Sequence, residues 1–309
     1  MTTPQPQAAH PAAPQSAPQV PPHAAPGYWP GTAPAGGAPG PVGYVSPIPV
    51  RKATLMDALA AEWTKIRSVR STIWTLSVMV AIIVGLGLLI AAGVDASDSK
   101  MSGSTALAGG FFSVMLGMIC VITLGVLTIS SEYGTGMIRT TLTACPDRAR
   151  VLTAKAVVFF ALSFVITLAS TALVAVVDVA MLDDQSEFAA TGGDWFKVTV
   201  GTSLFIGLLG IVSLAVGTML RHSAGAITVM LGLVLAPLVV AMFMYTESLS
   251  SVRKALFEYS IPMLLSVFYG ASGQESGTSL SGWDPLWVIA IAAAVALGGA
   301  YASLLKRDA

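Results

Sequence analysis

The chain has 309 residues, of which 54% are hydrophobic and only 10% charged, against about 25% charged in ordinary soluble domains. Sixteen basic and sixteen acidic residues are too few to cover a soluble surface, and a mean hydropathy of +0.76 points to a surface that faces lipid. The zero net charge argues against a nucleic-acid binder, two cysteines exclude a disulfide framework, and three scattered histidines offer no histidine metal site.

Composition divides the chain near residue 50. Residues 1–50 hold fourteen of the eighteen prolines and no Asp, Glu, Lys or Arg. Such a stretch buries too little apolar surface to offset the entropy of ordering it. The expectation is a disordered Pro/Ala/Gly-rich tail, partly in polyproline conformation. Neither a basic start nor an apolar run near Met1 marks a secretory signal.

Residues 51–309 read as one all-α membrane domain. It opens with Thr54–Ile73. At 100° per residue, Leu55, Met56, Leu59, Trp63, Ile66, Val69 and Ile73 fall on an arc of about 140°. Lys65, Arg67 and Ser68 lie on the remainder, Glu62 interrupts the apolar arc, and Arg70 sits at its edge. This pattern predicts an amphipathic helix in the membrane interface, with Trp63 at headgroup depth and basic residues near anionic lipid.

Six long apolar runs follow, each close to the ~20 residues that cross a bilayer as a helix. They are Thr72–Ala92, Ala106–Ile129, Ala156–Val177, Val198–Leu220, Ala224–Tyr245 and Trp287–Leu305. The runs are continuous rather than alternating, which excludes barrel strands. Pro237 in the fifth run predicts a kink. Asp178, at the end of the third, is the acidic residue deepest in a span and a candidate for a substrate role.

Two connections stand out. In Ser130–Arg150, Glu132 closes the second span, Gly134 and Gly136 permit a tight turn, Met137–Leu142 predicts a short helix, and Pro146 stops it. Residue chemistry leaves this loop equally open to a solvated connection and a docking element. In Thr246–Asp284, the apolar stretch Ala255–Tyr269 holds Glu258 and Pro262, and is too short and too interrupted to span. A re-entrant or interfacial hairpin is the expectation.

Twelve basic residues flank the spans on the side of the Ser130–Arg150 loop, against four on the other. The positive-inside rule therefore places both termini in the cytoplasm, and the expectation is a multi-pass protein of the plasma membrane.

The stretch Leu59–Thr72 (LAAEWTKIRSVRST) resembles the leading segment of type-2 ABC exporter permeases. The loop Glu132–Arg139 (EYGTGMIR), with Ala144–Arg148 (ACPDR) and Lys155, is similar to that family's connection between its second and third spans. The span count and the long segment before span six agree with it, and the resemblance covers about 50–309.

The resemblance implies a non-catalytic membrane subunit that pairs with a separate cytoplasmic ABC ATPase and with a second permease copy or paralogue. It implies that the interfacial helix, with Leu59, Glu62, Trp63, Lys65, Ile66, Arg67 and Arg70, contacts the ATPase. It implies the same for the loop, which Gly134 and Gly136 turn, with Met137, Ile138 and Leu142 packing and Arg139 and Glu132 supplying charge contacts or orienting the loop. This chain carries no G-x-x-x-x-G-K-[ST] phosphate loop, so ATP and Mg are expected on the partner and no cofactor here. Export driven by that ATPase is the expected function. A secondary transporter would need charged spans and internal repeats, and a membrane scaffold or immunity protein would need no ATPase.

Overall fold

The computed structural model describes residues 53–97, 100–270 and 279–306. The proline-rich segment, with Arg51 and Lys52, lies outside these residues. Among the described residues, six helices are long and apolar enough to cross a membrane, as the apolar runs predict.

Helix α1 (Leu55–Ser68) starts at a capping box. The Thr54 hydroxyl accepts from the Asp57 backbone N–H, and the Thr54 N–H donates to Asp57 at 2.9 Å. It ends at Val69, where an extended backbone (ψ 110°) turns the chain. Helix α2 (Arg70–Ser97) is the first span. The predicted single helix over 54–73 is therefore an interfacial helix plus the first turn of the span.

A strand β1 (Met101–Thr105) and a 3-10 turn (Ala106–Gly110) lead into α3 (Phe111–Thr135). Gly136, at φ 73°, terminates α3 in the left-handed region that glycine enters without a Cβ clash. The short helix α4 (Met137–Ala144) follows. Asp147 then caps α5 (Arg148–Leu182) by accepting from the Arg150 N–H. Strand β2 (Ser186–Phe188) pairs in parallel with β1, joining two connections at the opposite end of the bundle. Helix α6 (Gly192–Phe196), a π turn (Lys197–Gly201) and α7 (Thr202–Leu220) form one continuous span. Helix α8 (Ser223–Phe243) continues through Pro237.

The described part of Thr246–Asp284 forms four short pieces: a 3-10 turn (Glu247–Leu249), α9 (Ser250–Glu258), α10 (Ile261–Ser266) and a second 3-10 turn (Val267–Tyr269). Ile261, Leu264, Leu265, Phe268 and Tyr269 are buried in the main core, so this stretch plugs the bundle end. Helix α11 (Asp284–Lys306) is the sixth span. Most spans outrun the apolar runs by one or more turns, because hydrogen-bonded helix needs no apolar side chains once it leaves the lipid core.

Helix α7 is the hub, packed against α3, α5, α8 and α11. Its approach to α3 is glycine-lined. A Cβ on Gly125 would stand 2.8 Å from the Gly210 carbonyl oxygen, and one on Gly217 would stand 3.0 Å from that of Val126. Lipid supplies no hydrophobic force between helices, so such close backbone packing carries the association. Buried hydroxyls turn back on their own helices. Ser213 donates to the Leu209 carbonyl at 2.9 Å and Thr218 to that of Leu214 at 2.8 Å.

One carboxylate holds the plug to the approach of α11. Glu258 Oε1 accepts from the Ser279 N–H at 2.8 Å and from the Ser279 hydroxyl. Hydrogen bonding from Ser279 lowers the Glu258 pKa below its ordinary 4.5. A depressed acid stabilises the fold fully above its unfolded-state value and loses that contribution as pH falls through the folded one. Protection of residues 250–270 against hydrogen exchange, measured relative to the intrinsic rate at each pH, should therefore fall below about pH 4.5, and Glu258→Gln should remove that loss. Protection that does not change with acid in the native protein would exclude this tether.

Candidate functional site

Helical spacing sets Glu62, Lys65 and Ile66 on one face of α1, and that face packs on α5. Glu132 lies in the last turn of α3 and Lys155 in the second turn of α5. Packing brings these four charges together. Lys155 Nζ donates to Glu62 Oε2 at 2.6 Å and to Glu132 Oε1 at 2.9 Å. Lys65 Nζ donates to Glu62 Oε1 at 2.8 Å, to Glu132 Oε1 at 2.9 Å and to Thr141 Oγ1 of α4 at 3.4 Å. One cluster thus ties α1, α3, α4 and α5.

The cluster contains two acids and two bases, so it is formally neutral. Glu62, Glu132 and Lys155 are 4%, 5% and 2% exposed, which leaves them little water to replace a lost partner. Lys65 is half-buried. Burial lowers its pKa, but hydrogen bonds to Glu62 and Glu132 outweigh that and the net shift is upward. Lys65 therefore stays charged through neutral pH, and its contribution is lost only as pH rises past its raised folded value.

Further contacts gather at the same end. The Arg150 guanidinium donates to the Ala53 carbonyl just before α1. Arg148 donates to the Leu304 carbonyl of α11 at 3.0 Å, and Thr153 and Tyr301 share a hydrogen bond of 2.7 Å. The Arg221 guanidinium lies 4.9 Å from the Tyr133 ring centroid, linking the end of α3 to the α7–α8 corner. The start of α5 is thus a joint to which α1 and α11 are both fastened.

The structure divides the candidate loop residues into two kinds. Gly134, Gly136, Met137 and Arg139 are exposed, and Met137 is 46% exposed. Ile138 is buried at 5% and Glu132 is committed to the lysines. Ile138, expected to pack on a partner, is buried in the chain's own interior, and Glu132, expected to make charge contacts or to orient the loop, is paired with the lysines there. Leu142 is half-buried. On α1, Trp63 and Arg67 are exposed, Leu59 is half-buried, and Ile66 is buried beside Glu62; Arg70, exposed, is the first residue of α2.

The pairing of Glu62 with Lys155 was not read from the sequence. Its signal was present, since Glu62 breaks an apolar helix face and Lys155 breaks the apolar start of a span. Two opposite charges misplaced on apolar faces are each best satisfied by the other.

Asp178 is 1% exposed, and no side chain donates a hydrogen bond to its carboxylate. It rests against Gly109, where a Cβ would stand 3.2 Å from Oδ2. Thr171, Val174, Val198 and Tyr269 close around it, leaving no room for a water-sized molecule. In this conformation Asp178 is enclosed and faces no passage.

The family model described as ABC-2 family transporter protein matches residues 58–236, more than half of the chain. That range contains all four residues of the charge cluster, the α3–α4–α5 connection and the α3–α7 glycine contact. No curated protein matches the chain.

Proposed function

The chain belongs to the ABC-2 family of transporter proteins, the membrane-spanning permeases of ABC transporters, and from that premise we propose that it exports its substrate using ATP hydrolysed by a separate cytoplasmic ATPase. The observation that carries the reading is the buried Glu62–Lys65–Glu132–Lys155 cluster. It makes α1, the end of α3, α4 and the start of α5 one mechanical unit. The exposed side of that unit, with Met137 and Arg139, is the surface offered to the ATPase. Movement imposed on α4 then reaches α3 and α5 without being absorbed by a soft loop. ATP and Mg belong to the partner, and the permease pairs with a second copy or a paralogue.

Truncating a packed interface anchor costs ~2 kcal/mol, about thirtyfold in affinity. Met137→Asp with Arg139→Glu should reduce recovery of an ATPase with the tagged chain by about that factor, while membrane accumulation stays normal. Undiminished recovery together with unchanged substrate-stimulated hydrolysis would remove α4 from the mechanism.

The same reading puts α4 and both termini in the cytoplasm of a plasma-membrane protein, because twelve of the sixteen basic residues flank that side. A cysteine introduced at Gly192 should react with an impermeant maleimide in intact cells, and one at Thr140 should react only after lysis. Labelling of Thr140 from outside would invert the topology.

A further inference from the structure

Helix α9 packs against the far end of α8, at the end of the bundle opposite α4. Between the two helices opens a groove of about 690 Å³, within the size range of ligand clefts. Met242 and Phe257 give it apolar walls, Ser250 and Ser251 add hydroxyls, and Arg253 and Lys254 bring two positive charges. Among the described residues, none of those lining it is acidic. Glu258, one turn beyond Lys254, is buried and accepts from Ser279 instead. Arg253 gives one N–H to the Met244 carbonyl at 3.4 Å, of the five that a guanidinium carries. Among the described residues, neither Arg253 nor Lys254 forms an ion pair with a carboxylate.

We propose that this groove seats an anionic phospholipid, one whose phosphate charge is balanced by no ammonium. Depth argues for a lipid. Helix α8 runs 21 residues, about 30 Å at 1.5 Å per residue, which is the thickness of the hydrocarbon core. Its last turn, where Met242 lines the groove, therefore stands at the edge of that core, and the groove opens at headgroup level. Exposed Phe243 and Tyr245 mark the same level, as aromatic side chains do at a bilayer surface. The other flank of α9 is apolar, where Val252, Leu256 and Tyr259 line a second hollow with Pro237 of α8. A helix with one apolar and one basic flank lies in the interface.

Charge selects the headgroup. The Arg253 fork matches a pair of phosphate oxygens and Lys254 adds a compact charge beside it. A zwitterionic head carries an ammonium that would meet two cations and no carboxylate. Only four of the sixteen basic residues flank the spans on this side, and two of those four stand in this groove. A soluble anion would meet the same cations but would gain nothing from Met242 and Phe257. A seated lipid bridges the end of α8 to the start of the plug. Its leaflet follows from the proposed topology, but the binding depends on neither that orientation nor an ATPase, so its test is separable from both.

The experiment places the purified full chain, carrying Met242→p-benzoylphenylalanine, in nanodiscs of equimolar phosphatidylglycerol and phosphatidylcholine with identical acyl chains. Met242 is 62% exposed, so the photoreactive side chain fits without repacking. After illumination, mass spectrometry counts each lipid joined at position 242. A cation near a membrane surface favours anionic lipid by about fivefold. With two of them, phosphatidylglycerol should exceed phosphatidylcholine by about tenfold or more. Adding Arg253→Gln with Lys254→Gln, both on the exposed side of α9, should bring the two lipids within about twofold. Excess glycerol 3-phosphate at fixed ionic strength, the soluble head alone, should leave the ratio unchanged. Equal labelling by the two lipids when both cations are present, or an enrichment that survives their replacement, overturns the proposal. Loss of the enrichment to glycerol 3-phosphate would make the groove a site for soluble anions and overturn the lipid assignment.

Discussion

Lys155→Met destabilises the protein by about 3–5 kcal/mol, the cost of removing one partner from a buried ion pair. Lys155 is 2% exposed and donates to both carboxylates. Without it, Glu62 and Glu132 share the single ammonium of Lys65, and Glu62 Oε2 loses its 2.6 Å partner in a place water reaches poorly. The methionine fills the volume, so the loss is electrostatic rather than a cavity. It appears as a lowered unfolding midpoint in detergent micelles and as faster tryptic cleavage after Lys65 and Arg67, because α1 is released from α5. Adding Glu62→Gln restores neutrality and should recover half or more of the loss, since the remaining pair is Lys65 with Glu132. A Lys155→Met protein with native stability, or a double variant worse than the sum of the singles, would show that the four charges do not act as one cluster.

Gly125→Leu should remove most folded protein from the membrane. A Cβ at this position meets the Gly210 carbonyl oxygen at 2.8 Å and the Ser213 Cβ at 3.0 Å, and the nearest obstacle is backbone that cannot rotate away. Overpacking a core costs about 1–3 kcal/mol where side chains can adjust, and more is expected where two helix backbones must separate. Helix α7 is also packed against α5, α8 and α11, so displacing α3 disturbs the bundle at its centre. Gly85→Leu is the control, because nothing lies within 4 Å of its Cβ position and the side chain would enter lipid. Both variants add the same side chain to a helical glycine in a span. Equal yield and equal melting of the two would mean that the close α3–α7 approach does not hold the bundle.

Much of this fold is legible in the sequence, because the bilayer constrains the chain segment by segment. Six uninterrupted apolar runs become six helices, since no other open backbone satisfies its own polar groups in lipid. The chain breaks are local as well. Gly136 ends α3 through its left-handed conformation, and Pro146 with Asp147 separates α4 from α5. The character of Ala255–Tyr269 as a non-spanning element also follows from Glu258 and Pro262. Its burial as a plug over Phe268 and Tyr269 does not, because apolar residues in a short segment suit lipid and protein equally.

The sequence by itself determined the number of spans, the amphipathic α1, the short α4 and the family resemblance, each of which depends on residues near one another in the chain. Tertiary structure alone decided which charges meet. Glu62, Glu132 and Lys155 are far apart in sequence, and nothing local to any of them names its partner. Packing turned Glu132 and Ile138 inward and left Met137 and Arg139 exposed, because α4 is too short for its own periodicity to fix the face that docks on α3 and α5. The same packing left one carboxylate oxygen of Glu132 buried without a hydrogen-bond partner. A buried charge is satisfied by whatever the fold brings within about 3 Å, and that distance is set by how helices pack rather than by any one helix.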